Sequence, residues 1–268
     1  ILVFMFIIKI IDYIDFFEKA GYTSIYMRLL LFVYKYSYLH LNTYGGFMKK
    51  GFTLAEILIT LGIIGVIAAI TIPTIITKTR NKQLETSFRA GYSILTQAVS
   101  QFAQDEGVDY ITPDMFPTRT LKAKLMKYFI NPKDCGFGTE EGDCIMNTGE
   151  VDSDTIVYRT FNNKAYMNVC RLDDGQFILN NGFAVFIDNA YGVVLISIDT
   201  NGIDKKPNRW GYDLFTFHVS KDGLKPMGAE GTWATTLSYC SKTNTTINNG
   251  LTCTYQAVSN PNYFKNLP

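Results

Sequence analysis

The sequence predicts an α+β fold: one long N-terminal helix, its first half fit to cross a membrane, packed on a small antiparallel β-sheet head. Three observations predict it. Residues 57–76 form an apolar run without a single charge. Beyond them Leu84, Phe88, Tyr92, Leu95, Val99 and Phe102 recur at spacings of three and four, the period of an amphipathic helix. Further on, short runs rich in β-branched and aromatic residues are separated by turn-forming Asn and Gly.

The bulk composition narrows the function. The 268 residues suffice for one or two domains with a real core. Apolar residues make up 47% and charged residues 18%, which excludes bulk disorder. Lys and Arg number 25 against 24 Asp and Glu, so the chain as a whole has no basic footprint for nucleic acid. Two histidines, His40 and His218, leave little room for His-based catalysis or a His-rich metal site.

Residues 1–47 are crowded with Ile, Leu, Phe and Tyr, but Asp12, Asp15, Glu18 and Lys19 interrupt them before a clean span is reached. Gly45-Gly46 just before Met48 is what a purine-rich ribosome-binding site encodes when read through as protein. Residues 1–47 are therefore expected to be an upstream extension of the reading frame, with translation starting at Met48. A genuine N-terminal extension is the alternative.

The run at 57–76 matches the hydrocarbon thickness of a bilayer and exceeds the apolar core of a secretory signal. Thr60, Gly62, Gly65, Thr71 and Pro73 are features that membrane helices tolerate. Gly62 and Gly65, three apart, leave a small-residue face where another helix can come close. Pro73 either kinks the helix or marks the membrane exit. The acid Glu56 stands at the head of the run, where a carboxylate is costly and needs a partner.

Lys49-Lys50-Gly51-Phe52-Thr53-Leu54-Ala55-Glu56, followed by this run, resembles the N-terminal signature of type IV prepilins and type II secretion pseudopilins. The resemblance covers about 30 residues and is specific, because cleavage residue, acid and apolar length must coincide. It implies a leader at 48–51, held on the cytoplasmic side by Lys49 and Lys50. A prepilin peptidase would cut after Gly51, and Phe52 would become the N-methylated N-terminus. Glu56 would be the assembly residue. Its carboxylate, about one helical turn after its own chain's Phe52 amine, would pair with the Phe52 amine of a neighbouring subunit, neutralise both charges and set the axial register. The alternative is that Glu56 caps its own helix, although Thr53 already stands at an N-cap position. Lys78, Arg80 and Lys82 after the span run against a simple positive-inside count.

The remaining elements follow in order. Residues 52–76 are the transmembrane or filament-core helix, and 77–106 its amphipathic continuation, stopped by Gly107. Residues 107–268 are the globular α+β head, pilin-like in plan. A short helix is expected at 120–129, and strands at 155–161, 165–170, 176–179, 183–188, 193–199 and 213–219. Asn180-Asn181-Gly182 and the residues 188–192 supply hairpin turns.

Five cysteines lie beyond the span. Cys135 with Cys144, and Cys240 with Cys253, would close short disulfide loops, leaving Cys170 over in a buried strand; spacing alone leaves the connectivity open. Zinc is disfavoured by the absence of a CxxC pair and the isolation of His218. No cofactor is expected. The one opening is calcium at Asp199, Asn201 and Asp204 with Asp213, which resembles the start of an oxygen-ligand loop but has Trp210 where an EF-hand carries its Glu. A polar β-turn is the other reading. Asn244-Thr245-Thr246 matches a glycosylation sequon by coincidence of composition.

These features imply a structural subunit of a type IV pilus or a type II secretion filament, and not an enzyme. No Ser/His/Asp set, phosphate loop or HExxH motif is present. The implied partners are other pilin or pseudopilin subunits, the prepilin peptidase, an inner-membrane assembly platform and membrane lipid. The implied location is the bacterial cytoplasmic membrane, single-pass with the head outside, and then an extracytoplasmic filament. The rival readings are a minor tip subunit serving adhesion or DNA uptake, with Trp233, Tyr239, Tyr255, Tyr263 and Phe264 as contact residues or equally as a core edge, and a single-pass anchored binding protein.

Overall fold

The computed structural model describes residues 54–117, 119–140, 143–145, 158–190 and 192–268. The expectations for residues 1–47 and for Lys49, Lys50, Gly51 and Phe52 lie outside the described residues. The chain divides into two compact units with the boundary at Ile75 and Ile76.

The dominant element is helix α1, Leu54–Asp105, of 52 residues. Pro73 lies inside it, so the proline marks neither its end nor a break in it. In the first unit many of its described apolar side chains are exposed: Leu58, Ile59 and Leu61 are 60%, 63% and 60% exposed. A helix hydrophobic on every side, and not covered, belongs in another apolar medium. The hydroxyls of Thr60 and Thr71 donate back to the carbonyls of Ile57 and Ile67, both at 2.9 Å, so neither needs water.

In the second unit the same helix becomes amphipathic. Leu84, Phe88, Leu95, Val99 and Phe102 are buried on one face, and Tyr92 is half-buried beside them. The helix stops at a Schellman cap: Gly107 takes φ +69° and donates to Gln104, while Val108 donates to Ala103.

A six-stranded antiparallel meander faces this stripe. It comprises β1 (Lys133–Asp134), β2 (Gly175–Ile178), β3 (Ala184–Ala190), β4 (Val193–Asp199), β5 (Leu214–Ser220) and β6 (Gly223–Pro226), paired in sequence order. Strand alternation sorts two cores. Val185, Ile187, Val194, Ile196, Ile198, Phe215 and Phe217 join the α1 stripe. Ala184, Phe186, Leu195 and Leu214 point the other way, into a second cluster with Tyr158, Trp210, Met227 and Leu251 from the covering loops. The short helices α2 (Leu121–Leu125) and α3 (Cys253–Ser259) complete the head.

The α+β plan matches the sequence reading, but several details differ. Of the strand expected at 155–161, residues 155–157 lie outside the described residues; 158–161 and 165–170 are not strands, since isolated bridges alone join Arg159 to Tyr166 and to Arg209, and Val169–Arg171 is a 3₁₀ turn. Of the turn expected at 188–192, Asp188 and Asn189 are strand residues, β3 reaches Ala190, and Tyr191 lies outside the described residues. Strands β1 and β6 and helix α3 were not expected. Cys170 is exposed rather than buried.

Candidate functional site

The candidate processing and assembly segment begins where α1 begins. Glu56 falls in the first turn of the described helix, and the apolar run follows it without interruption. This is the one helix among the described residues that is long and apolar enough to cross a membrane. A Cβ added at Gly62 or Gly65 would meet nothing within 4 Å, so that face is open in this chain. Close helix–helix approach needs such a face. Lys78, Arg80 and Lys82 follow, all exposed. Glu85, the next acid, bridges Lys82 at 3.2 Å and Arg89 at 3.0 Å.

The head holds the other groups singled out by sequence. Cys135 is bonded to Cys144, and Cys240 to Cys253. Asp199 ends β4 and Asp213 precedes β5, so both carboxylates sit at the neck of the 200–212 loop, and both are fully buried. Asp199 Oδ1 accepts from the amides of Asn201 (2.9 Å) and Gly202 (2.8 Å), and its Oδ2 accepts from the Tyr158 hydroxyl. Asp213 accepts from the amides of Asn208 (2.8 Å) and Arg209 (2.7 Å) and from the Asn201 side chain at 3.3 Å. Burial, and then the nearby Asp199 charge, push the Asp213 carboxyl up to about 7 against the pull of those amides. Burial raises Asp199 as well, with the Tyr158 hydrogen bond opposing it.

The carboxylates at the neck are engaged by donors of the chain itself, while Asn201 Oδ1 and Asn208 Oδ1 in the same loop are buried without a donor. A calcium site turns oxygens toward one point. Asp204 is exposed. No group of three His, Cys, Asp or Glu side chains gathers into a metal-holding cluster among the described residues. The loop is a hydrogen-bonded turn, closed by Asn208 Nδ2 donating to the Ile203 carbonyl at 2.8 Å.

Sequence reasoning missed two buried polar clusters. Tyr158 reaches Asp199 across 41 residues of chain. Arg171 pairs with the buried Asp188 at 2.9 Å and lies 4.5 Å from the centre of the Trp233 ring. The one usable signal was Asp188 itself, a charge directly after the apolar residues 183–187. The tail aromatics divide: Tyr263 and Phe264 are buried in the helix-side core, whereas Trp233 is 40% exposed.

Compared with known proteins, residues 47–72 match the prokaryotic N-terminal methylation motif. The match spans the leader, Glu56 and most of the apolar run. The chain therefore carries a type IV pilin-like prepilin motif ahead of an α+β head. No curated protein and no solved structure matches the chain.

Proposed function

We propose that this chain is the precursor of a pilin-like structural subunit, cut after Gly51 and assembled into a filament of the type IV pilus or type II secretion class. The observation that carries the reading is the methylation motif at 47–72 lying directly on an uncovered apolar helix. The motif's family is structural, and the role proposed is assembly rather than catalysis. Before assembly the helix is dissolved in the cytoplasmic membrane, with Lys49 and Lys50 on the cytoplasmic side and the head outside. Prepilin peptidase removes the leader and frees the Phe52 amine. An inner-membrane platform then draws the subunit into a bundle, where lipid contacts are exchanged for helix contacts at faces such as Gly62 and Gly65. Glu56 pairs with the Phe52 amine of the next subunit, which removes two charges from an apolar medium and fixes the register.

The test is peptide-level mass spectrometry of the protein from its native membranes, with Glu56→Ala alongside. An N-methylated Phe52 peptide is expected from both forms, and filaments from the unsubstituted form alone. An N-terminus that retains Gly51 in peptidase-competent cells overturns the reading. Normal filament yield from the Glu56→Ala chain removes the assembly role of that residue.

A further inference from the structure

The three cations after the span stand on the side where a simple charge count would not place them. Between Glu56 and Glu85 the chain has no acid, and Lys78, Arg80 and Lys82 fall within five residues of one another. All three are exposed on α1. At about 1.5 Å rise per residue they lie roughly 3 to 9 Å beyond Ile76. The polar headgroup zone on each side of a bilayer core is roughly 5–7 Å thick. If 57–76 fills the hydrocarbon, Lys78 and Arg80 begin within the headgroup level and Lys82 just beyond it, and long cationic side chains readily reach phosphates there.

Their angular spread selects the partner. Lys78 and Lys82 are four apart and share one side of the helix, while Arg80 is two from each and lies across it. A protein partner docking on one side would meet only part of the set. A headgroup layer surrounds the helix and meets all of it. The Lys82 side chain remains 73% exposed even with its bond to Glu85.

We infer that Lys78, Arg80 and Lys82 form a collar that binds the phosphates of anionic phospholipid in the leaflet facing the head. The inference rests on the membrane-stored state proposed above and goes beyond it. The collar holds the stored subunit at a fixed depth and must be released when the subunit is drawn into a filament.

The test reconstitutes the full chain and a Lys78→Gln/Arg80→Gln/Lys82→Gln form into phosphatidylcholine vesicles. These contain a trace of spin-labelled phosphatidylglycerol or, separately, of spin-labelled phosphatidylcholine. The motionally restricted fraction gives the relative affinity of the protein for each lipid. Lys49 and Lys50 are common to both forms, so the difference reports the collar. The unsubstituted chain is expected to prefer phosphatidylglycerol, and the triple form to lose at least roughly fivefold of that preference. Added salt should shrink the gap. A Lys78→Arg/Lys82→Arg form should keep the preference, and equal thermal unfolding of the heads confirms that all forms are folded. Equal preference in the unsubstituted and triple forms overturns the inference. So does a triple form that keeps its lipid preference but loses self-association, which would assign the cations to a neighbouring subunit. Failure of the unsubstituted chain to enter phosphatidylcholine vesicles at all would overturn the membrane reading, and the collar with it.

Discussion

Two buried acids give the head a pH dependence. Asp213 is pushed up to about 7 by burial and the adjacent Asp199, and Asp188 to about 6 by burial, against the opposing pull of Arg171. An unfolded Asp titrates near 3.9. The folded values lie above the unfolded one, so the folded head binds the extra protons. Its stability is greatest below about pH 4 for these groups and falls as pH rises through about 6 and 7. Thermal unfolding followed by circular dichroism should show a midpoint falling between about pH 5 and about pH 8. Asp213→Asn should lower the midpoint throughout, because its NH₂ must face an amide donor, and should flatten the slope. A midpoint that climbs across this window contradicts the assignment.

At the scale of elements, the α1–sheet seam carries the head. Phe88 is buried, with its ring centroid 4.4 Å from Phe215 and 5.6 Å from Phe264. Phe88→Ala should cost about 3–5 kcal/mol in denaturant unfolding. Gly91 allows the helix to approach β4, since a Cβ there would stand 3.0 Å from Thr200 Cγ2 and 3.1 Å from Ile198 Cδ1. Gly91→Leu should cost about 1–3 kcal/mol through overpacking. The stripe that makes this seam was legible in sequence because every member repeats at helical spacing. Strands β4 and β5 were legible because sandwiched strands carry unbroken β-branched and aromatic runs. Strand β6 hid behind Lys225 and Pro226, β1 has two residues, and α3 is too short to show a period. Asp188 and Asn189 looked like turn formers, but Arg171 and the Asp174 carboxylate hold them inside β3. The Tyr158–Asp199 contact joins distant segments, which spacing cannot reveal. The N-terminal methylation motif was the reverse case, legible from residue identities at 49–56 together with the apolar run behind them.

Across the whole molecule, covalent and C-terminal ties close the head. The Cys240–Cys253 bond, spanning 13 residues, anchors the start of α3 beside the core. Opening it with Cys240→Ser/Cys253→Ser should cost about 2–3 kcal/mol. Thermal unfolding with and without reductant checks this: the midpoint of the unsubstituted head should drop on reduction, and that of the double variant should drop less. The chain end is also tied in, through Tyr212 donating to the Pro268 carbonyl and Tyr263 to the Gly211 carbonyl.

The meander has consequences for crowding. Its two outer strands are β1, only two residues long, and β6, which ends in Pro226. A strand that short templates almost nothing, and proline offers no amide to an incoming strand. Heads held at high local concentration therefore lack a ladder on which to zip into a continuous sheet. Their contacts must run through side-chain surfaces, which can be made and unmade, and the same blunted edges guard against amyloid-like growth.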